Sequence, residues 1–350
     1  MWQVDNRTPF AVERSWVRDR DGTEIWLVAV KATFDILPDG STQIAQEQPP
    51  VLRLPEHHAD PTGSSIKYDA DLVLRKTTTD ILVVGHACAP DGQEVTQLDC
   101  GFKVGPVQKI LRVFGDRRWG SFGPSAPQPF SRMPLTYERA YGGVDRKSSK
   151  PDRDWDWRNP VGTGFAVADR HAVDLPLPNI EYPEQLIRSW RDRPPPAGFG
   201  AIASNWQPRV GFAGTYDQRW QKTRAPLLAE DMDERWYQCA PADQQAAEFL
   251  RGGEPVILHN LHPRRRIEFK LPRLYLGFDT RFYDGSRELH RERALHTVIL
   301  EPDFPRVSLV WQSALPCHFK VHKLDRTVVI LKSDRSLGEA AFDDSDLAVS

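Results

Sequence analysis

The chain of 350 residues carries 46 Lys plus Arg against 48 Asp plus Glu, a formal net charge of −2. That length can bury a substantial core without disulfide or metal staples, and the charge balance excludes general attraction to a polyanion, so no nucleic-acid partner is expected. With 40% hydrophobic and 27% charged residues the composition is that of a folded protein, and 29 Pro and 23 Gly disfavour an architecture of long helices.

Residues 25–34, rich in β-branched and aromatic side chains, predict a long buried strand that ends at the turn Pro38-Asp39-Gly40. Strands are expected next at 71–74, 80–87, 94–102 and 107–114, read as a series of hairpins with Pro90-Asp91-Gly92 as one connection. From 117 to about 253 Pro, Gly, Trp and Arg cluster and apolar runs are short, which predicts irregular structure wrapped on a β scaffold. Short helices are expected at 182–191, stopped by Pro194-Pro195-Pro196, and at 241–250, which begins with Pro and ends at Gly252-Gly253. Strands return at 254–261, 266–271, 274–283, 287–290, 295–300, 306–312 and 325–331.

The expected fold class is therefore mainly β: sandwich-like antiparallel sheets with a long loop-rich middle and a few short helices. Along the chain this divides into an N-terminal β region (1–118), an irregular middle segment (119–253), a C-terminal β region (254–335) and an acidic tail (336–350), integrated into one domain.

No apolar run approaches the roughly 18 residues that span a bilayer, and the start Met1-Trp2-Gln3-Val4-Asp5 lacks the segments of a secretory signal. A cytoplasmic location without membrane insertion is expected. Cys88, Cys100, Cys239 and Cys317 contain no C-x-x-C pair, which predicts buried free thiols rather than a metal knuckle or a disulfide.

Signals for catalysis are unspecific. His57-His58 with Asp60 lacks a third ligand at a recognisable spacing, and His259 with His262 lacks the helical context of a zinc motif. Gly162-Thr163-Gly164 and Gly198-Phe199-Gly200 lack the strand-then-helix setting of a phosphate-binding loop. No metal, cofactor or catalytic residue is expected. An enzyme acting on a sugar or a protein, motivated by the His57-His58 and carboxylate-rich loops, remains an alternative, as does a carbohydrate-binding module.

Tryptophan is more informative: six of the eleven, Trp155, Trp157, Trp190, Trp206, Trp220 and Trp236, fall between 155 and 236 in the loop-rich middle, among arginines. Such enrichment typifies interface hot spots, although the same rings can be the local core of a segment poor in aliphatic residues. The candidates for partner binding are Trp155, Trp157, Arg158, Trp206, Arg209, Tyr216, Trp220 and Arg224.

An ordered set of motifs accompanies them: Asp69-Ala70-Asp71 with Lys76 and Asp80; Tyr141-Gly142-Gly143; Asn159-Pro160-Val161-Gly162-Thr163-Gly164; Leu177-Pro178-Asn179; Gly198-Phe199-Gly200; Trp206-Gln207-Pro208-Arg209; and Gly214-Thr215-Tyr216-Asp217. The glycines imply unusual turns, and Asp69, Asp71, Lys76 and Asp80 can form a network of charge pairs. Taken in order from about Asn6 to Trp311, the blocks resemble the domain-of-unknown-function 2169 family of bacterial type VI secretion clusters. The resemblance implies a non-enzymatic cytoplasmic adaptor or chaperone that loads a secreted effector onto the VgrG or PAAR components of the secretion spike. Two places depart from the family's pattern, the stretch 226–233 and Thr77 after Lys76.

Overall fold

The computed structural model describes residues 2–120, 123–291 and 293–332. The acidic tail expected at 336–350, with the last residues of the C-terminal region, lies outside them. Among the described residues the three larger sheets are built from the short strand Thr42–Ile44 and fourteen others: β1 (Gln3–Arg7), β2 (Ala11–Arg18), β3 (Glu24–Ile36), β4 (Asp80–Val83), β5 (Gln97–Val104), β6 (Val107–Phe114), β7 (Ile180–Glu181), β8 (Pro255–His259), β9 (Arg266–Lys270), β10 (Leu276–Phe282), β11 (Arg287–Leu289), β12 (Arg293–Glu301), β13 (Arg306–Pro316) and β14 (Leu324–Leu331). The central sheet runs β2-β3-β13-β12-β4, with Thr42–Ile44 added beside the end of β3. The second sheet runs β7-β6-β5-β8-β9 and the third β1-β14-β10-β11. Most neighbours are antiparallel, with β1 beside β14 and β4 beside β12 running parallel.

The fold is mainly β, as the composition and strand patterns predict. Strand β3 shows why. Its alternate side chains Trp26, Val28, Val30, Ala32 and Phe34 enter the main core. There they join Leu98, Phe102 and Val104 of β5, Val256 and Leu258 of β8, and Leu276 and Phe278 of β10, so residues from all three sheets share one apolar interior.

The opposite face of the central sheet is buried but polar. Lys31 pairs with Asp71 at 3.0 Å, and Thr33 shares a hydrogen bond with Ser308 at 2.8 Å. Gln312 binds both backbone groups of Val73, accepting from its amide at 3.2 Å and donating to its carbonyl at 2.6 Å. Those contacts correct the expected strand at 71–74: the segment lies over the sheet, and a side-chain amide takes the place of a neighbouring strand.

The expected hairpin series is also corrected. Within 71–114 only β5 and β6 form a hairpin, closed at Gly105-Pro106, whereas β4 joins the central sheet next to β12 and His86–Cys88 pairs with Arg132–Pro134. Neither predicted helix forms. At 182–191 the Glu181 carboxylate accepts from the Ile187 amide at 2.7 Å, and at 241–250 only a single 3-10 turn, Ala242–Gln244, is present. There the Gln244 amide bridges the carbonyls of Ile81 and Phe199, holding the segment against the sheets. Among the described residues two short α-helices occur instead, α1 (Asp169–Ala172) and α2 (Gln218–Thr223).

Three smaller cores centre on the middle segment, two of them shared with residues such as Ile66, Leu82 and Val73. Trp206 packs with Tyr137, Ala140 and Ala201; Trp119 with Tyr141 and Leu177; and Trp220 and Trp236 lie against Ala229, Met232 and Tyr237.

Candidate interaction surface

The glycine motifs set the loops of this surface. Tyr141-Gly142 pairs in parallel with Thr163-Gly164. Gly142 (φ 145°) and Gly143 (φ 94°) occupy conformations open to glycine, and a side chain on Gly142 would come within 2.3 Å of the Asn159 carbonyl. Asn159, fully buried, donates from Nδ2 to the carbonyls of Tyr137 and Tyr141 at 2.7 and 3.0 Å and so locks the two motifs together. Gly162 packs against the Asn159 side chain, Gly198 against the Tyr137 ring, and Gly214 against Ala229, while Gly200 accepts a hydrogen bond from Tyr137. Asn179 donates to the Phe114 carbonyl and to Asp116.

Once those loops are fixed, Asp156 and Arg158 shape the tryptophan motif. The Asp156 carboxylate accepts the Arg158 guanidinium in a fork at 2.9 and 2.6 Å, and accepts the Arg158 amide as well. The tight turn brings Trp155 and Trp157 into a stack, ring centroids 4.2 Å apart and planes 25° apart. Trp155 donates its indole N–H to the Asp152 carbonyl and pairs across a bridge with Val144. Trp157 is 59% exposed, and its carbonyl accepts the Gln207 amide, which joins the two loops.

The remaining candidates divide. Tyr216 is exposed and meets half-buried Trp220 edge-on at 4.8 Å; Asp217 caps α2 by accepting from the Trp220 amide, and the Trp220 indole donates to Leu227. Arg224 is spent on Glu230 and on the carbonyls of Leu228 and Arg20. Trp206 and Arg209 lie inside at 5% and 4% exposure, Trp206 edge-on to Tyr137 and Arg209 paired with Asp69 at 2.8 Å. Their place beneath the surface makes them its support, which sequence could not separate from its exposed face.

Beneath the segment the motif charges each find a counterpart: Asp69 takes Arg209, Asp71 takes Lys31 and Asp80 takes Lys76. Burial pushes the Asp71 carboxyl up against the opposing pull of Lys31. Lys76, although burial works against its charge, is held protonated by Asp80.

His57 borders a cleft, and Asp60 is used in a turn that accepts the backbone and hydroxyl of Thr62. His259 and His262 are turned to their own loop, bonded to Asn260 and to the Arg264 amide. Among the described residues no three His, Cys, Asp or Glu side chains are gathered as metal ligands. All four cysteines are buried and unbridged, and burial raises the thiols, Cys317 to about 11.

A recess of about 250 Å³ lies beside Trp220 and Arg224, bordered by Glu230 and Asp231, and two larger ones lie nearby. One, about 520 Å³, lies between Arg117, Arg118, Arg139 and Asn179, where Arg117 is already paired with Glu181 and Arg139 with Asp116. The other, about 470 Å³, is bordered by the 61–64 loop, Val144, Arg146, Val161 and Asn205, with Trp206 as part of its floor. Sequence reading missed Val144 and Arg146; their signal was only their place two and four residues after Gly142, in the turn that carries the tryptophan loop.

Fold and surface together define a mainly β protein with an aromatic platform on a glycine-locked loop assembly. The chain belongs to the DUF2169 family, described as an uncharacterized protein conserved in bacteria, and the match spans residues 21–312. No curated protein and no solved structure matched the chain. No helix among the described residues is long and apolar enough to cross a membrane.

Proposed function

We propose that this protein acts by binding another protein, as an adaptor without catalysis of its own. The single observation that carries the reading is the stacked Trp155 and Trp157 pair, one ring of which stands 59% exposed on loops held rigid from below. A large ring kept in water costs free energy in the isolated chain, and a rigid aromatic anchor loses little entropy on docking. The resemblance of the motif series extends the proposal to the partner: a type VI secretion effector, or the VgrG or PAAR protein that carries it, met in the bacterial cytoplasm.

The test is co-purification of the tagged full chain from cells that co-express its genomic neighbours, followed by sizing and mass spectrometry. A stoichiometric complex lost in Trp157→Ala supports the adaptor; recovery of the chain alone with every neighbour sinks it. An exposed indole face also suits a pyranose ring, which is the one observation favouring a sugar-binding module. Binding to a glycan array that Trp157→Ala abolishes would move the assignment there.

A further inference from the structure

The cleft of about 470 Å³ beside Trp206 is unbalanced in charge. None of its lining residues is Asp or Glu, while its floor and walls include the apolar side chains of Val144, Val161, Ala203 and Trp206. Arg146 stands at its rim, exposed, and among the described residues it has no carboxylate or carbonyl partner. Other arginines of the same surface are taken: Arg158 by Asp156, Arg209 by Asp69, Arg224 by Glu230, and Arg193 by the carbonyls of Trp190 and Ala166. A guanidinium beside an apolar recess with no counter-ion favours an incoming anion that carries an apolar group, and its planar fork matches a carboxylate. His57, Thr62 and Asn205 border the same space with further polar groups.

We infer that this cleft captures the free carboxyl terminus of a partner polypeptide, with the terminal carboxylate on Arg146 and the last apolar side chain against Val161 and Trp206. The inference rests on the adaptor reading and specifies which part of the partner is held. About 470 Å³ lies within the ordinary size range of ligand sites. A polyanion would need a row of cations that this wall does not have, and a bare inorganic anion would leave the apolar floor unused. The cleft and the platform are continuous: Val144 bridges to Trp155, and the residue after Trp206 donates its amide to the Trp157 carbonyl. A chain leaving the cleft is therefore placed beside the exposed indole.

The experiment presents the full-length protein with a pool of short peptides, tethered by their amino ends, with free carboxyl termini and randomised final residues. Selected sequences are then titrated calorimetrically as acids and as carboxamides. The expected result is selection of apolar final residues, with affinity about tenfold or more weaker for the carboxamide and for Arg146→Glu. Because Arg146 is exposed and unpaired, Arg146→Glu should melt like the parent, and Val144→Glu, which sets a carboxylate at the cleft, should reproduce the loss. Equal binding of the carboxamides, unchanged binding to Arg146→Glu, or no selected peptide overturns the inference. Acetate or inorganic phosphate binding as tightly as the peptides would also overturn it, in favour of a small anion. Failure of the adaptor reading is distinguishable: a co-purified partner retained by Arg146→Glu removes only this inference, whereas a chain that captures no neighbour yet still binds acid-ended peptides more tightly than their carboxamides removes the adaptor reading and leaves the carboxylate selectivity of the cleft.

Discussion

Asp80 grips Lys76 across 2.6 Å while both side chains are out of water, and the same carboxylate accepts the Cys239 amide at 2.8 Å and the Gln238 side chain at 3.0 Å. The pair thus ties the β4 edge of the central sheet to the end of the middle segment. Replacing Asp80 by Ala removes the carboxylate from a buried ammonium, which keeps only neutral partners such as the Thr297 hydroxyl, and leaves the Cys239 amide without its acceptor, and should cost about 3–5 kcal/mol in urea unfolding. Lys76→Met leaves Asp80 its other donors and should cost less, and the double variant should be more stable than the sum of the two losses predicts. Single losses below about 1 kcal/mol would show that the network does not hold the segment.

Acid should loosen the fold. Burial lowers His290 to about 4 and His296 to about 3, the latter helped by nearby Lys76. Both are neutral in the folded state and bind protons more readily once unfolded. Their penalty is therefore absent above about pH 6.5 and grows as pH falls toward the folded values, reaching about 2 kcal/mol for each histidine at pH 5. Unfolding free energies at pH 7.5 and pH 5 measure the difference, and His296→Leu should flatten the slope; equal slopes would refute the assignment.

Trp157 and Trp220 should behave oppositely on truncation. Trp157→Ala removes an exposed ring and should shift stability by no more than about 0.5 kcal/mol, while weakening partner binding by about 2 kcal/mol or more. Trp220→Ala removes a half-buried ring and the donor to Leu227, and should lower the melting temperature first. Thermal melts beside a binding titration separate the two, and a Trp157 variant with parental affinity would show that the ring is not an anchor.

Gly142→Ala should be far worse than Gly92→Ala. Both have positive φ, but the added methyl meets the Asn159 carbonyl at 2.3 Å in the first case and nothing within 4 Å in the second. Strain alone is worth about 1 kcal/mol at Gly92, and the clash at Gly142 adds displacement of the Asn159 lock. Comparable melting temperatures for the two variants would contradict the close approach.

Much of the scaffold was legible because apolar, β-branched runs survive as strands wherever two neighbours bury them. The reading of 107–114 coincides with β6, and 25–34 lies within β3. Strands β1 and β2 were not read, since Gln3–Arg7 and Ala11–Arg18 mix charged with apolar residues and bury little on their outer sides. The helices expected at 182–191 and 241–250 had suitable ends but were overruled by side-chain contacts to backbone, Glu181 to the Ile187 amide six residues on and Gln244 to the carbonyls of Ile81 in β4 and of Phe199 in the middle segment. For the surface, residue types identified the tryptophan loop, while exposure was decided by neighbours remote in sequence: Tyr137 covers Trp206 and Asp69 claims Arg209, and no local pattern records either.

The interleaving of β3 between β2 and β13 has a consequence for synthesis. Residues 24–36 can zip with 11–18 as soon as they leave the ribosome, but their other edge waits for 306–316, and Gln3–Arg7 waits for the last strand, 324–331. At about 5–20 residues per second the open edge of β3 stays unpaired for tens of seconds, during which it is an invitation to aggregate. A nascent chain of this topology benefits from general folding helpers until its last strands arrive, and fragments cut within 119–253 should not fold separately, because each would carry half of the same sheet.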